Sequence, residues 1–404
     1  MDKRVSETKN VNLLLLSPFF YPEQISTGKY NTALAQALVE RGIKIKIVAS
    51  YPLYPEWNPT LCVAPLTGME IHRAGESIRY PRSAYLRRLI LELWFSWHAT
   101  LYAWRFRATA QYVVPIFPPS LFFIFVDLIL PRSVRRVGIV HDLQGIYAAR
   151  SRGLFSRIVN QAIRFVERRV FRRCDKLIFL SATMRKSAIT TYKLLPHRCI
   201  VCFPFVNLSE SIKTHSLCSM FPRNMRHVVY SGALGEKQNP SELVGFMELF
   251  AEAYPDVMCH ILSGGPIYGR LVNEQAGGLH KHVKFHPLVS EELLAELYAC
   301  SDVQIIPQAP GTGNASLPSK FPNLLMAGVP IFAICDDGSE LAVLVRDTNA
   351  GLVSPVWNRD KLLKDMKIFL EGLHNENRSE RIKRNEAFLQ SKFSVMNVVA
   401  RILD

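Results

Sequence analysis

Eight cysteines in 404 residues are too few and too scattered to staple a small secreted scaffold. The one CxxC spacing, Cys199 and Cys202, sits in Cys-Ile-Val-Cys-Phe, which reads as a buried strand. No second pair stands near it to complete a zinc site. Uninterrupted apolar runs are also short. Leu13–Leu16 is stopped at Pro18, less than the hydrophobic region of a signal peptide, so the chain is expected to stay in the cytoplasm. Val113–Leu130 reaches the length of a membrane span, but Pro115, Pro118, Pro119 and Asp127 interrupt it. Strand, Pro-Pro-Ser turn and buried helix is the expected reading there. Repeats of solenoid length and low-complexity tracts are absent.

Acidic residues are scarce in one half only. Residues 1–210 carry 30 Lys and Arg against 13 Asp and Glu, whereas residues 211–404 carry 19 against 21. The formal net charge of +15 therefore belongs to the first half, and so does whatever anionic surface it meets. With 49% hydrophobic and 21% charged residues, disorder is excluded, and the length suits two domains.

What is present is a strand–helix alternation. Val11–Leu16 is continuously apolar, as a strand buried on both faces must be. Gly28–Arg41 has Ala33, Leu34, Ala37 and Leu38 at helical spacing, Gly42 stops it, and Ile43–Ala49 is the next strand. The series continues through Tyr112–Ile116, a helix near Leu121–Leu130, Arg136–Val140, a long helix over Phe155–Arg173, and Lys176–Leu180. Residues 207–225 lack periodicity and read as a linker. Strands then recur at Val228–Ser231, Val257–Leu262, Val283–Phe285, Val303–Ile306 and Pro330–Ile334, with helices at Ser241–Tyr254, Glu291–Ala299 and Lys320–Ala327 between them. Two doubly wound parallel sheets are expected, facing across a cleft, with ligands outside the strand C-terminal ends. The expected domains are residues 1–208, basic and acceptor-side, and 226–378, donor-side. A helical segment, 379–404, is expected to cross back to the first domain.

Several segments together resemble the retaining glycosyltransferases of family 4. The subgroup they resemble is the bacterial colanic-acid and O-antigen enzymes that add fucose- or fucosamine-like sugars. The resemblance is carried by Pro18-Phe-Phe-Tyr-Pro-Glu-Gln-Ile-Ser-Thr-Gly-Lys-Tyr30, Arg41-Gly42, Tyr54-Pro-Glu-Trp57 and Val140-His-Asp-Leu143. It continues in Leu317-Pro-Ser-Lys320 through Ala327-Gly-Val-Pro330, then Ser339-Glu340, with weaker matches at Ser231-Gly232 to Lys237 and Ser263-Gly-Gly-Pro266. It spans nearly the whole chain and implies an α/β fold of the GT-B type, two Rossmann-like domains.

The resemblance also implies site residues. Lys320 and Lys237 would grip the diphosphate of a nucleotide-sugar donor and stabilise the leaving group. Ser319 is a plausible N-cap ahead of Lys320, and Pro322 is tolerated in a first turn. Thr27, Gly28 and Lys29 open the first helix, where a glycine lets backbone approach the donor. Gly232, Gly264, Asn323 and Glu340 complete the donor set. His141 would hydrogen-bond a hydroxyl of the reacting sugar. Glu23, Tyr54, Glu56, Trp57 and Asp142 are the acceptor-side candidates, the tryptophan offering a stacking face. The chain departs from the family at two positions, where Ala315 and Asn323 stand for paired glutamates. Asp336-Asp337 matches an Asp-x-Asp metal motif only loosely; no metal and no cofactor is expected.

Arg79–Arg107 holds six arginines, one acid (Glu92) and eight aromatics, including Trp94, Trp97 and Trp104. That mixture suits an anionic membrane interface, or else a core helix. Arg150–Arg173 carries eight arginines, with Phe155, Ile158, Val159, Ala162, Val166 and Val170 as an inward apolar stripe. No nucleic-acid motif accompanies the charge, so no nucleic-acid partner is expected. The expected protein is a transferase acting on a polyprenyl-diphosphate-linked glycan, peripheral on the inner face of the cytoplasmic membrane. Its rivals are a nucleotide-sugar epimerase of the same architecture and a non-catalytic membrane-associated scaffold.

Overall fold

The computed structural model describes residues 11–23, 25–53, 57–61, 64–81, 83–147, 154–205, 216–313, 317–373 and 377–404. The chain divides into two compact units, Met1–Phe205 with Ser394–Asp404, and Val206–Phe393. This division falls at residue 205 rather than 208, and splits the segment 379–404 at residue 394.

The first unit runs β1 (Asn12–Leu16), α1 (Ser26–Glu40), β2 (Lys44–Ser50), β3 (Glu70–Ala74), α2 (Ala84–Phe106), β4 (Tyr112–Phe117), α3 (Phe122–Ile129), β5 (Arg135–Val140), α4 (Gln144–Tyr147), α5 (Leu154–Phe171), β6 (Lys176–Phe179), α6 (Ala182–Tyr192) and β7 (Cys199–Val201). Its parallel sheet has the order β3-β2-β1-β4-β5-β6-β7. β1 lies between β2 and β4, pairing Leu13–Leu16 with both. That explains why four consecutive leucines are buried: both faces of an inner parallel strand are covered.

The second unit runs β8 (Arg226–Ser231), α7 (Pro240–Ala253), β9 (Val257–Ser263), α8 (Pro266–Ala276), β10 (Val283–Pro287), α9 (Leu294–Ala299), β11 (Val303–Pro307), α10 (Lys320–Met326), β12 (Ile331–Ile334), α11 (Glu340–Asp347), β13 (Gly351–Ser354), α12 (Arg359–Gly372) and α13 (Arg378–Lys392). Its parallel order is β10-β9-β8-β11-β12-β13. In each sheet the order reverses once, at β1/β4 and at β8/β11, and loops beyond such a reversal part to leave a crevice. The last helix, α14 (Val395–Leu403), packs on α1 in the first unit and buries Val398, Val399 and Ile402.

Val113–Leu130 forms β4, a turn and α3, and no helix among the described residues is long and apolar enough to cross a membrane. Cys199 and Cys202 are buried free thiols at β7.

The expected inward stripe of α5 holds at Val170, which is buried, and at Val166, which packs against the core, and is corrected at Ile158 and Ala162. Ile158 is 58% exposed, as is Phe165 at 69%, and Ala162 is exposed too. The buried side is formed by Asn160, Glu167, Val170 and Phe171; the Phe155 side chain lies outside the described residues. Polar groups turn inward because the backbone after β5 needs hydrogen-bond acceptors.

Three histidines on neighbouring strands form a chain in the second unit. His227 Nε2 donates to Pro222 O at 2.9 Å, which leaves its Nδ1 to accept from His260 Nε2 at 3.0 Å; His260 Nδ1 then accepts from His286 Nε2 at 3.2 Å. Burial and the two neighbouring imidazoles push His260 down to about 3, so its imidazole is neutral at physiological pH.

Candidate functional site

In the first unit the candidate residues gather where β1, β2 and β5 end. Asn31 Nδ2 donates to Ser17 Oγ at 3.0 Å and Phe19 O at 2.9 Å, tying the loop after β1 to α1. Glu23 is buried in that loop, and its Oε1 accepts the Leu53 N–H at 2.5 Å. Gly28 fits directly beneath it: a Cβ there would lie 2.5 Å from the Glu23 Cβ. The first demand on this glycine is thus the packing of Glu23. Thr27 and Lys29 flank it, half-buried.

His141 follows β5, its N–H donating to Phe117 O at 2.8 Å. Its ring meets Tyr30 edge-on at 4.6 Å, and Tyr30 stacks on Phe205 at 4.3 Å. His141 Nε2 and the Tyr30 hydroxyl are both buried without a hydrogen-bond partner among the described residues. Two such groups side by side are costly unless a ligand satisfies them. Burial pushes the His141 imidazole down to about 3, so it is neutral at physiological pH.

Asp142 is half-buried beside it. The backbone that follows is held from α5, where Glu167 accepts the Gln144 and Gly145 N–H groups at 3.0 Å each and the Tyr192 hydroxyl. Burial raises the Glu167 carboxyl to about 7 against these hydrogen bonds. Trp57 has the Arg87 guanidinium 4.9 Å over its ring and Tyr80 edge-on at 5.4 Å, so one of its faces is already covered. Tyr54 and Glu56 lie outside the described residues.

In the second unit Lys320 is the centre. β8 and β11 pair only at Val228–Val303 and Val229–Gln304, then part. The Lys320 Nζ sits in the opening, donating to Ile305 O at 2.8 Å and Ser231 O at 3.3 Å, with the Tyr230 ring centroid 4.3 Å away. It therefore straddles the strand pair at which the sheet order reverses. No ion pair joins it to a carboxylate among the described residues, and burial pushes its ammonium down to about 7.

Around this point lie the other candidates of that unit. Gly232 has φ +141°, outside the range of ordinary side-chain-bearing residues. Lys237 lies in the turn after β8, where its carbonyl accepts the Ala309 N–H at 2.7 Å, joining the loops after β8 and β11. In the Gly264-Gly265 pair the conformational demand falls on Gly265, φ +91°, at the start of α8; Gly264 has room for a Cβ. Ser319 is exposed at the head of α10 and makes no side-chain capping bond, which corrects the expected cap. The next helix, α11, is capped by Ser339, whose hydroxyl accepts the Ala342 N–H at 3.2 Å, and Glu340 is its first, buried residue. Asn323 is half-buried in α10, and Ala315 lies outside the described residues. Asp336 accepts the Gly311 N–H at 2.6 Å and Asp337 pairs with Arg346, so the acidic pair serves the loop. No cluster able to hold a metal occurs among the described residues.

Tyr30, Asn31 and Glu167 escaped the sequence reading. Glu167 had a visible signal, as the only acid between Arg157 and Arg173. Tyr30 closes the Pro18–Tyr30 run but was given no role, and Asn31 had only its place three residues past Gly28.

Residues 27–210 match the family model Glycosyltransferase Family 4, and residues 220–387 match Glycosyl transferases group 1. WcaI of Escherichia coli K12, named as a colanic acid biosynthesis glycosyl transferase, is 21% identical over 407 residues, covering 86% of this chain and 94% of that protein. A sucrose-phosphate synthase from Thermosynechococcus elongatus has a TM-score of 0.76 at 15% identity, covering 97% of each chain. WaaG, a glycosyltransferase involved in lipopolysaccharide biosynthesis, has a TM-score of 0.69 at 14% identity, covering 97% of this chain and 99% of that one. Anabaena HepE in complex with UDP and glucose gives 0.65 at 13%, over 97% and 98%. Together with the two parallel sheets, these similarities establish the GT-B type of fold.

Proposed function

The chain belongs to glycosyltransferase family 4, and from that premise we propose that it moves a hexose-type sugar from a nucleotide-sugar donor, with retention of configuration, to a lipid-linked glycan in surface-polysaccharide synthesis. The carrier in this reading is a polyprenyl diphosphate, and the reaction takes place on the cytoplasmic face of the membrane. The named roles of WcaI and WaaG in colanic acid and lipopolysaccharide synthesis support the polysaccharide reading, and the UDP-bound HepE supports the donor class.

The observation that carries the reading is Lys320, a cation with no carboxylate partner among the described residues, set in the opening between β8 and β11. A buried ammonium near neutrality gains its full charge when an anion arrives. A donor diphosphate supplies that anion, and it becomes more negative as the glycosidic bond breaks, so the interaction strengthens towards the transition state. Lys237 adds a second cation from the neighbouring loop, while Gly232 lets the backbone turn there. Glu340 and Asn323 are assigned to the ribose and sugar hydroxyls.

In the first unit the neutral His141 and the Tyr30 hydroxyl offer unsatisfied hydrogen-bonding atoms to sugar hydroxyls. An uncharged imidazole suits this task, since a cation would oppose the positive charge of an oxocarbenium-like transition state. Charge stabilisation by lysines means that transfer proceeds in EDTA.

The test is a panel of nucleotide sugars labelled in the sugar, incubated with the full chain and a bacterial lipid extract. Label moving to an organic-soluble product, and not moving with Lys320→Ala, is the expected result. Conversion of the donor sugar with no acceptor present would replace the transferase by an epimerase. Intact glycan assembly in cells carrying Lys320→Ala would leave only a scaffold.

A further inference from the structure

Helix α2 is apolar on two sides. Its inner side buries Leu91, Phe95, Ala99, Ala103 and Phe106. Its outer side presents Leu86, Leu89, Leu93, Trp97, Leu101 and Trp104, each more than half exposed and Trp97 at 76%. Their spacing of three or four residues holds them on one line, about 27 Å long at 1.5 Å per residue. A helix that has already buried one face has no folding reason to carry six more large apolar side chains on the other. Trp94 is not part of this line; its indole donates to the Tyr80 hydroxyl at 2.7 Å.

The line continues sideways. α3 packs on α2 and exposes Leu128 at 72%, with Phe125 beside it; α5 packs on α3 and exposes Phe165 and Ile158. These three helices follow right-handed crossovers in one direction along the sheet, so they form one layer on the same side of it.

Charge on this layer is one-sided. Its three acids all point inward: Glu92 accepts the Ser120 and Leu121 N–H groups, Asp127 pairs with Arg136 at 2.7 Å, and Glu167 holds the backbone after His141. Arg105, Arg157, Arg168, Arg169 and Arg172 remain exposed. With carboxylates withdrawn, the rim of the apolar face is basic.

We propose that the outer face of α2, α3 and α5 is a docking surface for an anionic phospholipid bilayer, with α2 lying in the plane of the interface. The leucines and tryptophans enter the headgroup boundary while the arginines meet phosphate, an arrangement that favours anionic lipid over neutral lipid. A second copy of the chain is the poorer occupant, because pairing this face with itself opposes two basic rims. The proposal deepens the lipid-linked acceptor reading and takes its purpose from it; vesicle binding and sugar transfer are read separately, so either can fail alone.

The experiment is flotation of the full chain with phosphatidylglycerol–phosphatidylethanolamine vesicles and with phosphatidylcholine vesicles. Expected is co-flotation with the first, weakened by high salt, and little with the second. Leu93→Gln/Trp97→Gln and Arg168→Ser/Arg169→Ser should each lower partitioning about tenfold or more while thermal unfolding stays unchanged. A unique bimane label at position 97 should be quenched by brominated lipid. No flotation of the wild-type chain, flotation that either double variant leaves intact, or burial of the label in a dimer without lipid would overturn the proposal. If the double variants fail to fold, quenching of the label at position 101 in an otherwise wild-type chain decides it.

Discussion

Replacing Lys320 by methionine separates a functional lysine from a structural one. Lysine ordinarily titrates near 10.5 and here near 7, so the folded chain binds fewer protons than the unfolded chain between those values. The contribution of this group to wild-type stability therefore rises with pH across that window. At pH 7.5 the penalty for keeping this group folded is about 4 kcal/mol, or on the order of 3 after allowing for the partial exposure of its stem. Methionine keeps the length and removes the charge. It forfeits two hydrogen bonds, to Ile305 O and Ser231 O, and the contact with Tyr230. Those losses are together about 2 kcal/mol. The variant should thus be more stable by about 1 kcal/mol near neutrality, raising its melting temperature by roughly 2–4 °C. Its advantage should fade as pH climbs towards 10.5. Transfer should fall about a hundredfold or more. Scanning calorimetry at several pH values and a labelled-sugar assay read both quantities. A melting temperature lowered by about 5 °C or more would mean the lysine holds the fold. Unimpaired transfer would remove it from the chemistry. Either result refutes the reasoning.

Glycine 28 should not tolerate a methyl group. Gly28→Ala places a Cβ against Glu23, so about 2 kcal/mol of stability and most activity should be lost, measured by urea unfolding and by the transfer assay. Removing Glu167 with Glu167→Ala leaves two backbone donors and a tyrosine hydroxyl unsatisfied. About 3 kcal/mol of stability should go, and kcat should fall with it because the backbone after His141 loosens. The histidine chain makes a pH prediction. His260 is depressed to about 3, so its contribution is present above the ordinary histidine range and is lost as pH falls through it. Between pH 7 and 5 that is about 2 kcal/mol. The wild-type chain should lose that much more than His260→Leu over the same interval in urea titrations, and equal slopes would exclude it.

The inner strands were readable because their apolar runs are dictated by burial on both faces, as at Leu13–Leu16 and Ile331–Ile334. Two of the four sheet edges, β7 and β10, were readable as well, and the other two were not. β3, Glu-Ile-His-Arg-Ala, pairs on one side only and is nowhere fully buried, so no apolar run announces it; β13, Gly-Leu-Val-Ser, is a second case. Periodicity misled in part at α5, where Val166 and Val170 face in as the pattern demands but Ile158 and Ala162 face outward and a carboxylate faces in. Of the site, Lys320 and His141 were accessible through flanking motifs, since each stands beside a strand or helix end. Tyr30 and Glu167 act through partners far along the chain, Phe205 and Tyr192, and no local pattern encodes such contacts.

The return of α14 to the first unit has a consequence for how the protein is made. Val398, Val399 and Ile402 are core residues of a unit whose other members precede Val206. At about 5–20 residues per second, the ribosome delivers them some 10–40 s after Phe205. During that interval the amino-terminal sheet waits with an apolar seam along α1 uncovered, while the carboxy-terminal unit, contiguous in sequence, is free to finish first. Completion of the first unit's core therefore waits for the last helix to be made.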